Sequence, residues 1–274
     1  MHKSGAYSGV FRFVVALSVA FAPVLAQSTV RGQDVCQDYT EWLRTHPTGE
    51  ADPTAEYRKD LIRRGMSAEQ AGARLEALWK SMVRCPQGSG LSFDRVYRWQ
   101  KIPFTTEPNA FLVETTRTMR PGRALDVSMG QGRNSIYLAK KGWDVTGFDV
   151  SSEGLAMAEK AAEEAGVRIR MVHQGWEEFD FGSESWDLIL LTYPWVPIGD
   201  PAFVRRLCSS LRPGGFVVFE AALVDSRAPV GVHPNEVMKA FQNDLRILRY
   251  EEIEAVADWD NRKKENLVRM MARK

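Results

Sequence analysis

From Gly122 onward, short apolar runs alternate with amphipathic segments, and this alternation constrains the fold more than any other feature of the chain. Apolar runs separated by helices bury both faces of a mostly parallel sheet between helical layers. The predicted strands are "RALDVS", "DVTGFDV", "RIRMVHQ", "WDLILLTY" and "FVVFEAALV". The helices between them are "NSIYLAKKG", "SEGLAMAEKAAEEAG" and "PAFVRRLCSSL"; a further helix near "PNEVMKAFQND" follows the fifth strand. Ser151 or Ser152 caps the second helix and Gly166 stops it. Two last strands, "RILRYEEIEAVAD" and "NLVRMMAR", flank a charged turn from Asp260 to Glu265. A turn of that kind makes a hairpin, so the seven-stranded α/β sheet should end with an antiparallel C-terminal strand.

A small helical unit should precede this sheet. "CQDYTEWLRTH", "PTAEYRKDLIRR" and "SAEQAGARLEALWKSMV" each show helical spacing of apolar residues. Ser67 and Gln70 form a capping box for the third, whose buried stripe is Leu75, Leu78, Trp79 and Met82. "CPQGSG" reads as the linker that closes the unit. The N-terminal 26 residues differ again, with a basic start, the apolar stretch "FVVALSVAFAPVLA" and small residues around Ala26, as in a signal peptide. The expected organisation is a signal peptide at 1–26, a helical unit at 34–86 and the α/β domain at 91–274. An uncleaved signal would tether the protein to the inner membrane; a misread one would leave it in the cytoplasm. Export to a periplasmic or other extracytoplasmic space invites a disulfide between Cys36 and Cys85, which bracket the helical unit. Cys208 sits among apolar residues as a small core residue.

Where a parallel strand gives way to a helix, backbone N–H groups point outward, and a ligand reaches them only if side chains are absent. "DVSMGQGRNS" has this form: Gly130 and Gly132 follow the first strand, with Asp126 just upstream. Asp149 ends the second strand 17 residues beyond Gly132, where a carboxylate can accept both hydroxyl hydrogens of a ribose. Glycine loop and ribose acid together indicate a nucleoside-bearing cofactor.

Over residues 123–223 the chain resembles the class I S-adenosylmethionine-dependent methyltransferases. "ALDVSMGQG" is similar to their first motif, "GFDVS" to the second, "WDLILLTYP" to the fourth-strand motif and "LRPGGFVVFEA" to the turn and strand that follow. The run "GQGRNSIYLAKKGWDVTGFD" and the lead-in "TTEPNAFLVE" resemble the small-molecule branch that includes tellurite-resistance and ubiquinone-type enzymes. Ser128 stands where the family has glycine, and Gly175 is followed by Trp176 where it often has an acid. The resemblance implies a Rossmann-like fold and S-adenosylmethionine as cofactor. It puts Asp126, Ser128, Met129, Gly130, Gly132 and Asn134 around the methionine part, Asp149 on the ribose and Val150 along the adenine. Gln174, Gly175, Trp176 and Glu177 would flank the base, with Trp176 either stacked on adenine or flanking the core, and Thr192 and Tyr193 would close the floor near the sulfonium.

The acceptor should lie at the carboxyl ends of the strands. Tyr193, Trp195 and Glu220 are candidates there, and Tyr97, Trp99, Phe104, Glu107 and Asn109 could fold over the mouth as a lid. An aromatic mouth suits a small, partly apolar acceptor. "TYPW" departs from the Asn/Asp-Pro-Pro-aromatic signature of enzymes that methylate amino groups on nucleic acids or glutamine. The 36 basic and 35 acidic residues nearly cancel, giving no footprint for nucleic acid. The four histidines and three cysteines show no metal-ligand spacing; His173 lies on the third strand, and His233 could serve as a base or merely as a surface capping residue. Two other readings stay open. Gly130-x-Gly132-x-x-Ser135 approximates the fingerprint of a nicotinamide-dependent oxidoreductase. Export away from the compartment where S-adenosylmethionine is made also allows a non-catalytic cofactor-binding or scaffold role. Neither the oligomeric state nor the methylated atom is written in the sequence.

Overall fold

A computed structural model describes residues 32–49, 52–99, 104–224, 231–258 and 264–274. The signal segment, 1–26, lies outside them. The helical unit comprises α1 (Gly32–Thr45), α2 (Pro53–Arg63), α3 (Ala68–Met82) and α4 (Pro86–Arg98). Asp52 caps α2, whose first residue is Pro53, a pairing that satisfies free N–H groups where proline has none to offer. Ser67 and Gln70 bond reciprocally at the start of α3. Val35, Tyr39, Trp42, Tyr57, Leu61, Leu78 and Met82 form a core separate from that of the sheet. Cys36 and Cys85 are joined by a disulfide that ties the start of α1 to the residue preceding α4.

Helix α4 corrects the linker expected at 85–90 and overrides the boundary between 86 and 91. Pro86 is its first residue, a position that needs no N–H donor. Its two glycines are there for close approach. A Cβ on Gly88 would lie 2.8 Å from Thr40 Oγ1, and one on Gly90 2.5 Å from the Val150 carbonyl oxygen. Gly-rich composition reads as a breaker in isolation, and tertiary packing has the final word.

The α/β part runs α5 (Ala110–Thr116), β1 (Arg123–Val127), α6 (Arg133–Lys140), β2 (Asp144–Asp149), α7 (Ser152–Glu164), β3 (Arg170–His173), β4 (Trp186–Thr192), α8 (Pro201–Ser210), β5 (Leu211–Ala222), α9 (Glu236–Phe241), β6 (Arg246–Val256) and β7 (Lys264–Arg273). The sheet order is β3-β2-β1-β4-β5-β7-β6. β1 to β5 are parallel, and β7 is antiparallel to both β5 and β6. Side chains alternate across the sheet: Leu125, Val127, Ile189, Leu191 and Phe219 join one core with α8 and α9. Ala124, Leu188, Leu190 and Val218 join Phe111 and Leu138 on the other face. β1 and β4 lie side by side while their connections run to opposite edges, so a crevice opens at their carboxyl ends, where ligands bind in such sheets.

Candidate functional site

The crevice is built from four strand ends. After β1, Ser128, Gly130 and Gly132 adopt φ of +59°, +52° and +76°. Left-handed backbone suits the two glycines, whereas Ser128 holds it against the usual Cβ penalty. The Ser128 hydroxyl offsets part of that cost by accepting a bond from the Trp195 N–H at 3.1 Å. Asp126, 1% exposed, accepts from the Ser135 hydroxyl at 2.7 Å, and burial raises its carboxyl to about 7. The Met129 side chain is buried against β2, where a Cβ on Gly147 would lie 3.1 Å from its Cβ.

At the end of β2, Asp149 is 8% exposed, and burial raises its pKa against the opposing pull of three N–H groups. One carboxylate oxygen accepts from the Gly130 N–H and the other from the Ser151 N–H, both at 2.8 Å. Ser151, rather than Ser152, caps α7 by accepting from the Gly154 N–H at 3.0 Å. Val150 and Gln174 are half-buried beside Asp149, and Gly175 is buried.

Of the two readings of Trp176, the structure shows the core-flanking one. The indole N–H donates to the Val83 carbonyl at 2.8 Å, and Phe203 packs edge-on against the ring. The guanidinium carbons of Arg84 and Arg206 lie 5.4 and 5.8 Å from the ring centroid, close enough for cation–π contact. Glu177 is exposed beyond it. His173 Nε2 lies 2.9 Å from the Val150 carbonyl. His233 sits exposed just before α9, its backbone N–H donating to Glu236.

The ends of β4 and β5 hold a different kind of arrangement. Tyr193 has φ +49° and donates its hydroxyl to Glu220 Oε1 at 2.8 Å; Glu220 is fully buried. Burial, followed by the adjacent Glu220 charge, drives the Tyr193 pKa far upward, so its proton stays on the phenol. Asn109 also donates to Oε1, at 2.7 Å, and Arg269 Nε donates to Oε2 at 2.5 Å. Asn109 receives Asp258 as a second partner, and its N–H donates to Asn134, which in turn donates to Thr192 at 2.7 Å. Arg133 pairs with Asp258 at 3.0 Å. Sequence reading finds Asn109, Asn134, Thr192, Tyr193 and Glu220 but misses Arg269 and Asp258, which no local pattern connects to a site 40 to 150 residues away.

The expected lid residues are only partly brought together. The Tyr97 hydroxyl lies against Gly130, where a Cβ would come within 2.5 Å of it, and Phe104 packs on the Tyr97 ring at 5.4 Å. Trp99 terminates α4 half-buried. The exposed Glu107 contributes its carbonyl to Arg133 and leaves its carboxylate out. Trp195 turns toward the helical unit: its indole N–H donates to Ser89 at 3.0 Å, and its ring meets Trp79 and Phe93 edge-on. Asp94 on α4, unmarked by any sequence signal, accepts from Ser151, Ser152 and the Glu153 N–H at 2.7, 3.0 and 3.0 Å. Among the described residues no group of histidine, cysteine or acidic side chains could hold a metal ion.

Comparison with known proteins agrees with this geometry. A methyltransferase-domain family model matches residues 124–215. The chain is 24% identical over 182 residues to the probable S-adenosyl-L-methionine-dependent methyltransferase TehB of Haemophilus influenzae, covering 62% of this chain and 63% of that protein. It is 35% identical over 99 residues to the ubiquinone biosynthesis O-methyltransferase of Cronobacter sakazakii, covering 35% of this chain and 41% of that protein. The chain thus spans less than two thirds of the length of either relative. Among solved structures, the N-methyltransferase NodS of Bradyrhizobium japonicum superposes with a TM-score of 0.54 at 18% identity, over 68% of this chain and 97% of that one. The antiparallel β7 between β5 and β6 also departs from the 3-2-1-4-5-6 order of dinucleotide-binding oxidoreductases. Residues 124–215 thus match a methyltransferase domain, and the relatives that align with this part of the chain include S-adenosylmethionine-dependent methyltransferases.

Proposed function

We propose that this chain transfers a methyl group from S-adenosylmethionine to a small-molecule acceptor. One observation carries the reading: a buried carboxylate, Asp149, lies at the end of β2 and bonds the left-handed glycine loop that follows β1. This donor and acceptor set fits an adenosyl cofactor. Asp149 would take the ribose hydroxyls, the N–H groups of the 128–132 loop the methionine carboxylate, and Val150 one side of the base. The cofactor supplies a methyl group on a positively charged sulfur. The chain's own work is alignment and exclusion of water. Asn134 fixes Thr192, and Glu220 fixes the Tyr193 hydroxyl, so both floor residues hold single orientations.

The small-molecule class is supported by the kinds of relative that match and by the near-zero net charge. Export is supported by the Cys36–Cys85 disulfide, a bond that persists in oxidising compartments.

Calorimetric titration with S-adenosylmethionine, S-adenosylhomocysteine and NAD, on the wild-type chain and on Asp149→Ala, tests the reading. Binding of the first two ligands, lost in Asp149→Ala, is the expected result. Binding of NAD alone, or unchanged binding in the variant, overturns it.

A further inference from the structure

Four residues of α4 lie on one helical stripe: Pro86, Gly90, Asp94 and Tyr97, spaced four, four and three apart. The stripe follows the rim of the cofactor crevice in the order a bound adenosyl ligand would occupy it. Pro86 meets Gly175 at the base end, where a Cβ on the glycine would lie 3.2 Å from it. Gly90 presses on the Val150 carbonyl, and Asp94 bonds Ser151, Ser152 and Glu153 beside the ribose acid. Tyr97 ends the stripe with its hydroxyl over Gly130, where a Cβ would come within 2.5 Å of it. The Gly130 N–H and both Asp149 oxygens therefore already have partners within the chain. The Tyr97 hydroxyl covers the glycine loop, and both Asp149 oxygens are held by backbone. Cavities of 590 and 280 Å³ lie elsewhere, the larger at the amino-terminal ends of the strands near Trp143, Asp187 and Gly214.

We propose that α4 is an intramolecular plug: this conformation is a closed state, and the cofactor enters only after α4 has left the rim. The inference rests on the methyl-transfer reading. The disulfide at Cys85 and the separate aromatic core bind α4 to α1–α3, so α4 moves with the whole unit. A ligand that binds only the open form shows an affinity reduced by the open fraction, and its binding rate levels off at the opening rate.

Stopped-flow tryptophan fluorescence reads this directly, because Trp195 and Trp176 sit on the surface that separates. With the full chain and S-adenosylhomocysteine, the observed rate should reach a plateau as ligand rises. Tyr97→Ala should tighten binding by about tenfold or more and lift the plateau. Tyr97→Phe, which keeps the ring and removes only the hydroxyl, should do so to a smaller extent. Rates that stay linear in ligand, with Tyr97→Ala binding no tighter than wild type, would overturn the plug while leaving the methyl-transfer reading intact. Failure of every variant to bind would overturn both.

Discussion

The two halves of the crevice satisfy their buried polar groups by opposite means. On the β1–β2 side, Asp149 accepts from the backbone N–H groups of Gly130 and Ser151, and a helix is laid across the glycine loop. On the β4–β5 side, Glu220 is held by Asn109, Tyr193 and Arg269, side chains from three distant parts of the chain. Partners of the first kind can be exchanged for a ligand at little cost. A closed ionic network in a dry interior cannot, because removing one member strands the rest. The first half is built to be re-partnered and the second to stay.

Substitutions can break this contrast. Glu220→Ala should cost the most, about 3–5 kcal/mol, by taking a fully buried acceptor away from Asn109 and from the half-buried Tyr193 and Arg269; urea denaturation would show it as a lowered midpoint. A loss under 1 kcal/mol would mean that the network is replaceable after all. Cys36→Ser with Cys85→Ser opens a bridge of sequence separation 49 and should cost about 2–4 kcal/mol. That loss should fall on the helical unit, seen as weakened amide protection in α1–α4 ahead of β4 and β5.

A pH-dependent effect belongs to Asp126. Burial raises its carboxyl from 3.8 to about 7, so between those values the folded chain keeps a proton that the unfolded chain has released. Its contribution to stability is full below about pH 4 and is lost as pH rises through about 7, by at most about 1.4 kcal/mol per unit. Asp126→Asn should flatten that part of the profile; an unchanged slope would assign it to other groups. Ser128→Gly should be smallest, within about 1 kcal/mol of neutral. Relief of the left-handed serine opposes loss of the bond to Trp195, and thermal unfolding gives the sign.

The same contrast separates what the sequence discloses from what it hides. Strands such as "RALDVS" and caps such as Ser67 with Gln70 are local patterns and were readable as such. So were Gly130, Gly132 and Asp149, because a loop that needs left-handed backbone leaves its mark within a few residues. α4 was hidden because its glycines answer to Val150 and Thr40, and a distant contact leaves no local trace. Trp176 could be read two ways for the same reason, since its partners Val83, Arg84 and Phe203 come from both sides of it in the chain. Arg269 and Asp258 have no sequence mark at all.

The position of α4 also sets an order of events during synthesis. The helical unit is complete at residue 98, some fifty residues before Val150 and nearly a hundred before Trp195 leave the ribosome. Its own core can form in that interval, while Gly90 on α4 waits for Val150. The strand ends then assemble against a surface already in place. A chain whose first half folds early in this way uses that half as a template for the second, and a chain begun at residue 91 would start inside α4 and lack it.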